Sequence, residues 1–237
     1  MLDPTVLVAA EPTGTVGRLD APPLAQVLPF PVLARAWPGK RAVDIVLSLV
    51  LIVLSLPLFL LLATIVKLTS RGPVLFRQRR VGRGGKDFPM LKFRTMHTDA
   101  EDRLRSDAAL YELFVRSDHK VPSAMDPRIT ASGRLLRRLS LDELPQLLNV
   151  LLGHMSLVGP RPVERSQLIR DYGEHQSTYL ALRPGLTGLW QVSGRSTVQF
   201  PERAELDRQY LRACGPWVDA KIILRTPLVV FTGLGAD

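Results

Sequence analysis

Residues 40–66 read KRAVDIVLSLVLIVLSLPLFLLLATIV, and this stretch decides the fold. Lys40, Arg41 and Asp44 lead into a run of 22 uncharged residues from Ile45 to Val66. As a helix the run is about 33 Å long, enough to cross a hydrocarbon core of roughly 30 Å. A buried core helix rarely needs so many consecutive apolar residues, so the run predicts membrane insertion. Pro57 removes one helical hydrogen bond in mid-run and clashes one turn back, which predicts a break near that residue. Two arrangements fit: a kinked span, or a re-entrant helix that enters and leaves by the same face. Arg35, Lys40 and Arg41 lie on one flank, and Lys67, Arg71, Arg77, Arg79, Arg80, Arg83 and Lys86 on the other. Positive charge prefers the cytoplasmic side, so basic residues on both flanks favour re-entry. Ser48 and Ser55 are placed to satisfy carbonyls that a broken helix frees.

Upstream, residues 1–39 hold seven of the 19 prolines and read as an extended leader. The chain of 237 residues has a formal charge of +9, and the excess lies wholly in residues 40–237, with 29 basic and 19 acidic residues. That balance points to an anionic partner. The single cysteine, Cys214, excludes an internal disulfide or a cysteine-rich zinc site. Downstream, residues 67–94 carry nine basic residues against Asp87 alone. The pattern predicts a turn, a short strand, a Gly-rich turn and a second strand, a surface suited to lipid headgroups or a diphosphate. Helices are expected over 99–118, 130–138, 140–152, 163–180, 202–211 and 219–230, the last lying on the bilayer, with a strand at 189–192. The fold class is therefore α-dominated α+β. Its parts are a leader (1–39), a re-entrant membrane helix (40–69) and a domain with amphipathic interfacial helices and a few short strands (70–237).

The chemistry centres on Asp142 and Glu143, within Arg137-Arg138-Leu139-Ser140-Leu141-Asp142-Glu143-Leu144-Pro145. Two readings compete. Ser140 with Glu143 fits a capping box, and Asp142 as N-cap would put Pro145 in the permissive first turn. Alternatively, adjacent carboxylates bind a divalent cation, or one attacks phosphorus while the other manages a proton. Arg134, Arg137, Arg138 and Arg161 exceed what capping needs and suit an anionic ligand. The four histidines are scattered, and Gly82-x-Gly84-Gly85 lacks the ending of a P-loop. Trp37, Trp190 and Trp217 read as core or interface anchors.

From Lys40 to Val230 the chain resembles the bacterial sugar transferases, the monotopic phosphoglycosyl transferases. The motifs run in family order: Lys40-Arg41-x-x-Asp44, Gly72-Pro73-Val74 with Phe76-x-Gln78-x-Arg80-x-Gly82, Lys92-Phe93-Arg94-Thr95-Met96, and Asp126-Pro127-Arg128. They continue with Ser140 to Gln146, Met155 to Pro162, Arg183 to Gly188 with Trp190-Gln191-Val192, and Leu206-Asp207 with Tyr210. The resemblance implies the compact, catalytic-domain-only form, at the cytoplasmic face of the bacterial inner membrane. It implies transfer of a sugar 1-phosphate from a UDP-sugar to polyprenyl (undecaprenyl) phosphate, with release of UMP. Asp142 would be the nucleophile and a metal neighbour. Glu143 would deprotonate the lipid phosphate or organise the metal, which is Mg²⁺, with Mn²⁺ as substitute. Arg137, Arg161, Lys92, Arg94 and Arg128 would neutralise phosphates, and Arg195 would contact the donor. The family's hydrophobic helix breaks at a Ser-Pro pair, whereas this chain has Ser55-Leu56-Pro57.

Two non-enzyme readings are weaker. A nucleic-acid binder would need aromatic residues interleaved with the basic ones, so no nucleic-acid partner is expected. An inactive scaffold sits badly with intact Asp142, Glu143, Arg137 and Arg161. Anionic phospholipid is the remaining expected partner, and monomer and homodimer both stay open.

Overall fold

The computed structural model describes residues 36–116, 121–123 and 125–231. Nearly all of the expected leader lies outside the described residues. The apolar run forms one helix, α1 (Lys40–Thr69), as uncharged residues with high helix propensity dictate. The chain stays helical through Pro57, so the expected break is not a gap between two helices. Ser55 Oγ donates to the Ile52 carbonyl at 3.3 Å, one residue before the Val53 carbonyl that Pro57 leaves without its helical donor.

One stripe of α1 packs on the rest of the chain. Asp44, Ser48, Leu62 and Val66 are buried, and Ile52 and Phe59 contact the two apolar clusters between them. The spacing is that of one helix face. The remaining surface, with Leu54 73% and Val53 61% exposed, is apolar and uncovered. Both ends of α1 rest on the same domain.

The N-terminal end is held by charge. Lys40 Nζ contacts Asp219 Oδ2 at 2.5 Å, and Trp37 Nε1 donates to the same oxygen at 3.0 Å. Arg41 donates to the carbonyls of Val150 and Leu151 at 2.5 and 2.7 Å, at the end of α5 (Gln146–Leu151), where a cation is favoured. Asp44 Oδ1 accepts from Ser156 Oγ at 3.1 Å and Leu157 N at 3.0 Å. Replacing Asp44 with alanine strands these buried donors. A loss of roughly 2–3 kcal/mol is expected, read as a lower thermal midpoint in detergent.

After α1 comes the expected hairpin, β1 (Leu75–Val81) and β2 (Asp87–Phe93), antiparallel from Leu75 opposite Phe93 to Val81 opposite Asp87. Its turn needs left-handed backbone at Gly84 and Gly85 (φ 67° and 79°), which glycine supplies without strain. Phe88, Met90 and Phe93 of β2 point into the core. Asn149 of α5 donates to Pro89 O at 2.8 Å and accepts from Leu91 N at 2.9 Å, using its amide as a stand-in strand partner.

The expected helix over 99–118 is two, α2 (Ala100–Ser106) and α3 (Ala108–Arg116). Next is α4 (Ala131–Arg138), capped by Thr130, whose Oγ1 accepts from Gly133 N at 2.9 Å. The expected helix 140–152 is a 3-10 turn at Leu141–Glu143 followed by α5. The capping-box reading fails, since neither Ser140 nor Asp142 caps through its side chain.

A second sheet was not foreseen: β3 (Ser156–Val158) pairs in parallel with β4 (Gly185–Thr187). The strands close tightly, and a Cβ on Gly159 would sit 2.3 Å from the Arg183 carbonyl oxygen. The segment 163–180 divides into α6 (Arg165–Tyr172) and α7 (Gln176–Ala181). The expected strand at 189–192 is instead a short helix, α8 (Leu189–Ser193), because tertiary packing overrides the β preference of Trp and Val. Two further helices, α9 (Glu202–Ala213) and α10 (Pro216–Phe231), complete the described residues. The outcome is the α-dominated α+β class with one long apolar helix.

The residues Asp207 and Tyr210 of α9 serve structure. Tyr210 donates to Asp219 Oδ1 at 2.7 Å, and Tyr172 donates to Asp207 Oδ2 at 2.7 Å. Burial pushes the Asp207 carboxyl up to about 7, against the opposing pull of the Tyr172 hydrogen bond and the Arg203 charge. The native state then keeps this proton between the ordinary carboxylate range and about 7, where the unfolded chain has released it. Stability falls as pH rises through that window, by at most about 4 kcal/mol. Thermal midpoints measured from about pH 5 to about pH 8 should show this fall, and Asp207→Asn should flatten it.

Candidate active site

A cleft of about 1130 Å³ runs between α1, the hairpin, the 140–144 turn, α8 and α10. Among the described residues its acidic lining is Asp142 and Glu143, against seven cations: Arg80, Lys92, Arg94, Arg137, Arg161, Arg195 and Arg203. That imbalance suits a ligand with several negative charges.

The acidic pair is placed by an unusual backbone. Ser140 adopts φ 55°, a left-handed conformation costly for a residue with a side chain. It turns the chain sharply after α4, so that Arg137 and the carboxylates share one wall. Such strain clusters at functional sites and needs its surroundings to hold it. Here Arg195 Nη2 donates to Ser140 Oγ at 3.1 Å, while Arg195 Nη1 donates to Val229 O at 3.3 Å.

The two carboxylates differ in surroundings. Glu143 Oε1 accepts from Lys92 Nζ at 3.0 Å and from Arg161 Nη2 at 2.7 Å. Burial pushes Glu143 upward, but the Arg161 and Lys92 charges and hydrogen bonds outweigh it and hold the carboxyl far below its usual range. In turn, Glu143 raises the Arg161 guanidinium. Asp142, only 7% exposed, accepts no hydrogen bond from the described residues. Burial pushes it up; Lys92, Arg137 and Arg161 pull it down, while Glu143 adds to the rise. The pair thus divides into a locked anion and a more basic, less solvated carboxylate.

Of the other expected residues, Arg137 lies in the cleft, where Nε donates to Thr95 Oγ1 at 2.9 Å. Arg94 also lines it, yet Nη2 is used on Ser70 O at 2.7 Å, just past the end of α1. Its Nε and Nη1 are buried without a hydrogen-bond partner among the described residues. Arg128 does not line the cleft, and its expected phosphate role finds no support there. It makes a buried bidentate pair with Asp126, at 2.8 Å on each oxygen, and lies over the Phe114 ring. Arg134 and Arg138 of α4 are exposed and outside the cleft.

Sequence reasoning missed Arg80, Thr95, Gln191 and Arg203 as cleft residues and took Trp190 for an anchor. Arg80, Thr95, Trp190 and Gln191 all sit inside the quoted motifs, which was the available signal. Arg203 had none. Arg80 Nη1 meets Glu164 at 3.2 Å, and Arg203 stacks on Trp190 at 4.5 Å.

Among the described residues no group of three or more His, Cys, Asp and Glu side chains comes together. Mg²⁺ does not require one, because it is commonly held by one or two carboxylates plus substrate phosphates and water. The unbonded Asp142 carboxylate beside Glu143 is a hard-oxygen donor set of that kind.

A desolvated carboxylate in a strongly cationic cleft, beside a long uncovered apolar helix, defines a membrane-associated enzyme that handles phosphate esters. The chain belongs to the bacterial sugar transferase family, which matches residues 35–233. It is an enzyme of the sugar-phosphate transferase type. It is 43% identical over 194 residues to the exopolysaccharide production protein ExoY of Rhizobium meliloti, covering 79% of this chain and 83% of that one. It is 45% identical over 197 residues to a UDP-glucose:undecaprenyl-phosphate glucose-1-phosphate transferase of Caulobacter vibrioides, covering 79% and 67%. A third relative is the undecaprenyl-phosphate galactose phosphotransferase of Salmonella typhimurium, 43% identical over 201 residues, with 83% of this chain and 41% of that one covered.

Proposed function

We propose that the protein transfers a sugar 1-phosphate from a UDP-sugar to polyprenyl phosphate through a covalent intermediate on Asp142. The observation that carries this reading is Asp142 itself, desolvated, free of hydrogen bonds from the described residues and ringed by cations. An Asp142 oxygen attacks the sugar-proximal phosphorus. The bond from that phosphorus to the bridging oxygen breaks, and UMP leaves with the electron pair. A phosphate oxygen of the polyprenyl acceptor then attacks the same phosphorus and releases Asp142, giving a polyprenyl-diphosphate sugar. Glu143 holds Lys92 and Arg161 where phosphate charge develops, and Arg137 is added from α4. Mg²⁺ held by Asp142 and Glu143 would supply Lewis-acid polarisation of the diphosphate.

The acceptor's apolar tail also has a route. Leu51 and Ser55 of α1, Phe76 and Val229 and Val230 of α10 form part of the cleft wall. Trp217, Leu224 and Leu228 of α10 and Leu135 and Leu139 around α4 are exposed, as for helices lying on a bilayer. Arg134, Arg138, Lys221 and Arg225 beside them suit anionic phospholipid.

The test is release of UMP by detergent-extracted protein given Mg²⁺, polyprenyl phosphate and a panel of UDP-sugars. UMP release with one donor is expected; UDP release would mean direct glycosyl transfer and overturn the reading. The contact of both ends of α1 with one domain supports re-entry from the cytoplasmic face. In a variant lacking Cys214, single cysteines replacing Ala42 and Thr69 should label from the cytoplasmic side alone. Labelling from opposite sides would contradict re-entry.

A further inference from the structure

We infer that Trp190 and Gln191 read the imide edge of the donor's uracil base, an inference that rests on the UDP-sugar reading above. Both residues line the cleft. The indole Nε1 of Trp190 and both amide atoms of Gln191 are buried, with no hydrogen-bond partner among the described residues. Leaving buried donors and acceptors unpaired is costly, and three such atoms on consecutive residues mark a place that a ligand completes.

The side chains are held in place. The Arg203 guanidinium stacks on the Trp190 ring at 4.5 Å. Gln191 packs against Gly188, where a Cβ would lie 2.5 Å from Gln191 Oε1. Phe200 also lines the cleft, and the same Arg203 guanidinium lies over its ring at 5.5 Å.

The unpaired set names the ligand chemistry. It consists of the Trp190 N–H donor, the Gln191 NH₂ donor and the Gln191 carbonyl acceptor. Uracil presents two carbonyl acceptors flanking one N–H donor, the complement of that set, and such edges are a usual target for base recognition. Cytosine replaces one carbonyl with an amino donor and the N–H with an acceptor, so it meets this set only if the Gln191 amide turns over, and the preference for uracil depends on Oε1 staying where it lies against Gly188. Sugar hydroxyls rotate to donate or accept, and demand no such fixed set.

The experiment is equilibrium binding of UMP, CMP and a UDP-sugar to the full chain in detergent. Wild type should bind UMP at least about tenfold more tightly than CMP. Gln191→Leu should lose about tenfold or more in UMP affinity and abolish the preference over CMP, and Trp190→Phe should weaken UMP binding while keeping the ring. Gln191→Glu, close in shape but without the amide donor, serves if the leucine variant does not fold. Unchanged UMP binding in the Gln191 variants would overturn the inference, including the case where only UDP-sugar binding falls and the residues serve the sugar. Wild type that binds no uridine nucleotide would instead refute the UDP-sugar reading.

Discussion

Asp142→Asn is expected to leave the protein folded and to reduce UMP release by at least about a thousandfold. The amide fills the same volume but cannot attack phosphorus. Because Asp142 receives no hydrogen bond from the described residues, its neutralisation breaks no side-chain contact. It also removes a buried charge beside Glu143, so stability should hold or rise. Two measurements check this. UMP release in a single turnover should vanish, and wild type incubated with radiolabelled UDP-sugar alone should carry label that the variant lacks. A variant that keeps more than about a tenth of the activity would rule out Asp142 as nucleophile.

Glu143→Gln is expected to have the second largest effect, and of a different kind. Glu143 anchors Lys92 and Arg161 through one oxygen, so its loss frees two cations in a half-buried site. Breaking such pairs typically costs about 3–5 kcal/mol when the partners stay buried; with Arg161 partly exposed the cost should fall below that range. Activity should fall by about a hundredfold or more as the phosphate-binding cations lose their placement. The pH profile distinguishes positioning from simple unfolding. Glu143 contributes to the rise of Asp142, and the Lys92 and Arg161 charges pull it down. Without the glutamate charge, one influence that raises Asp142 is gone and the freed Lys92 and Arg161 are left with Asp142 as the neighbouring carboxylate, so Asp142 falls and the acid limb of the rate profile should move to lower pH. A rate loss with an unshifted limb would contradict the coupling.

Much of the site was legible because its chemistry is local in the chain. Asp142 and Glu143 are adjacent, and the arginines on either side exceed what a helix cap uses. The hairpin was legible through the Gly-rich turn between its two strand-like segments. The division of labour within the pair was not. Lys92 and Arg161 come from 51 and 18 residues away to share one Glu143 oxygen, and that contact alone separates the two carboxylates. A motif position does not reveal a partner: Arg128 pairs with Asp126, two residues away. The parallel pairing of β3 with β4 was also hidden, since three-residue strands carry too little periodicity to register.

The sequence by itself determined the apolar helix, the excess of positive charge, the family and the acidic pair. Each is written in contiguous residues or in an ordered set of motifs, and hydropathy and charge survive without knowledge of the fold. Tertiary structure alone decided which cations face the cleft. Arg80, Arg137 and Arg203 are inside it, while Arg128, Arg134 and Arg138 are not. It also decided that α1 lies along its domain at both ends, through contacts such as Asp44 with Leu157 and Phe59 with Phe93. The physical reason is that burial and pairing depend on neighbours brought together by folding, and those neighbours lie tens to more than a hundred residues apart in the chain.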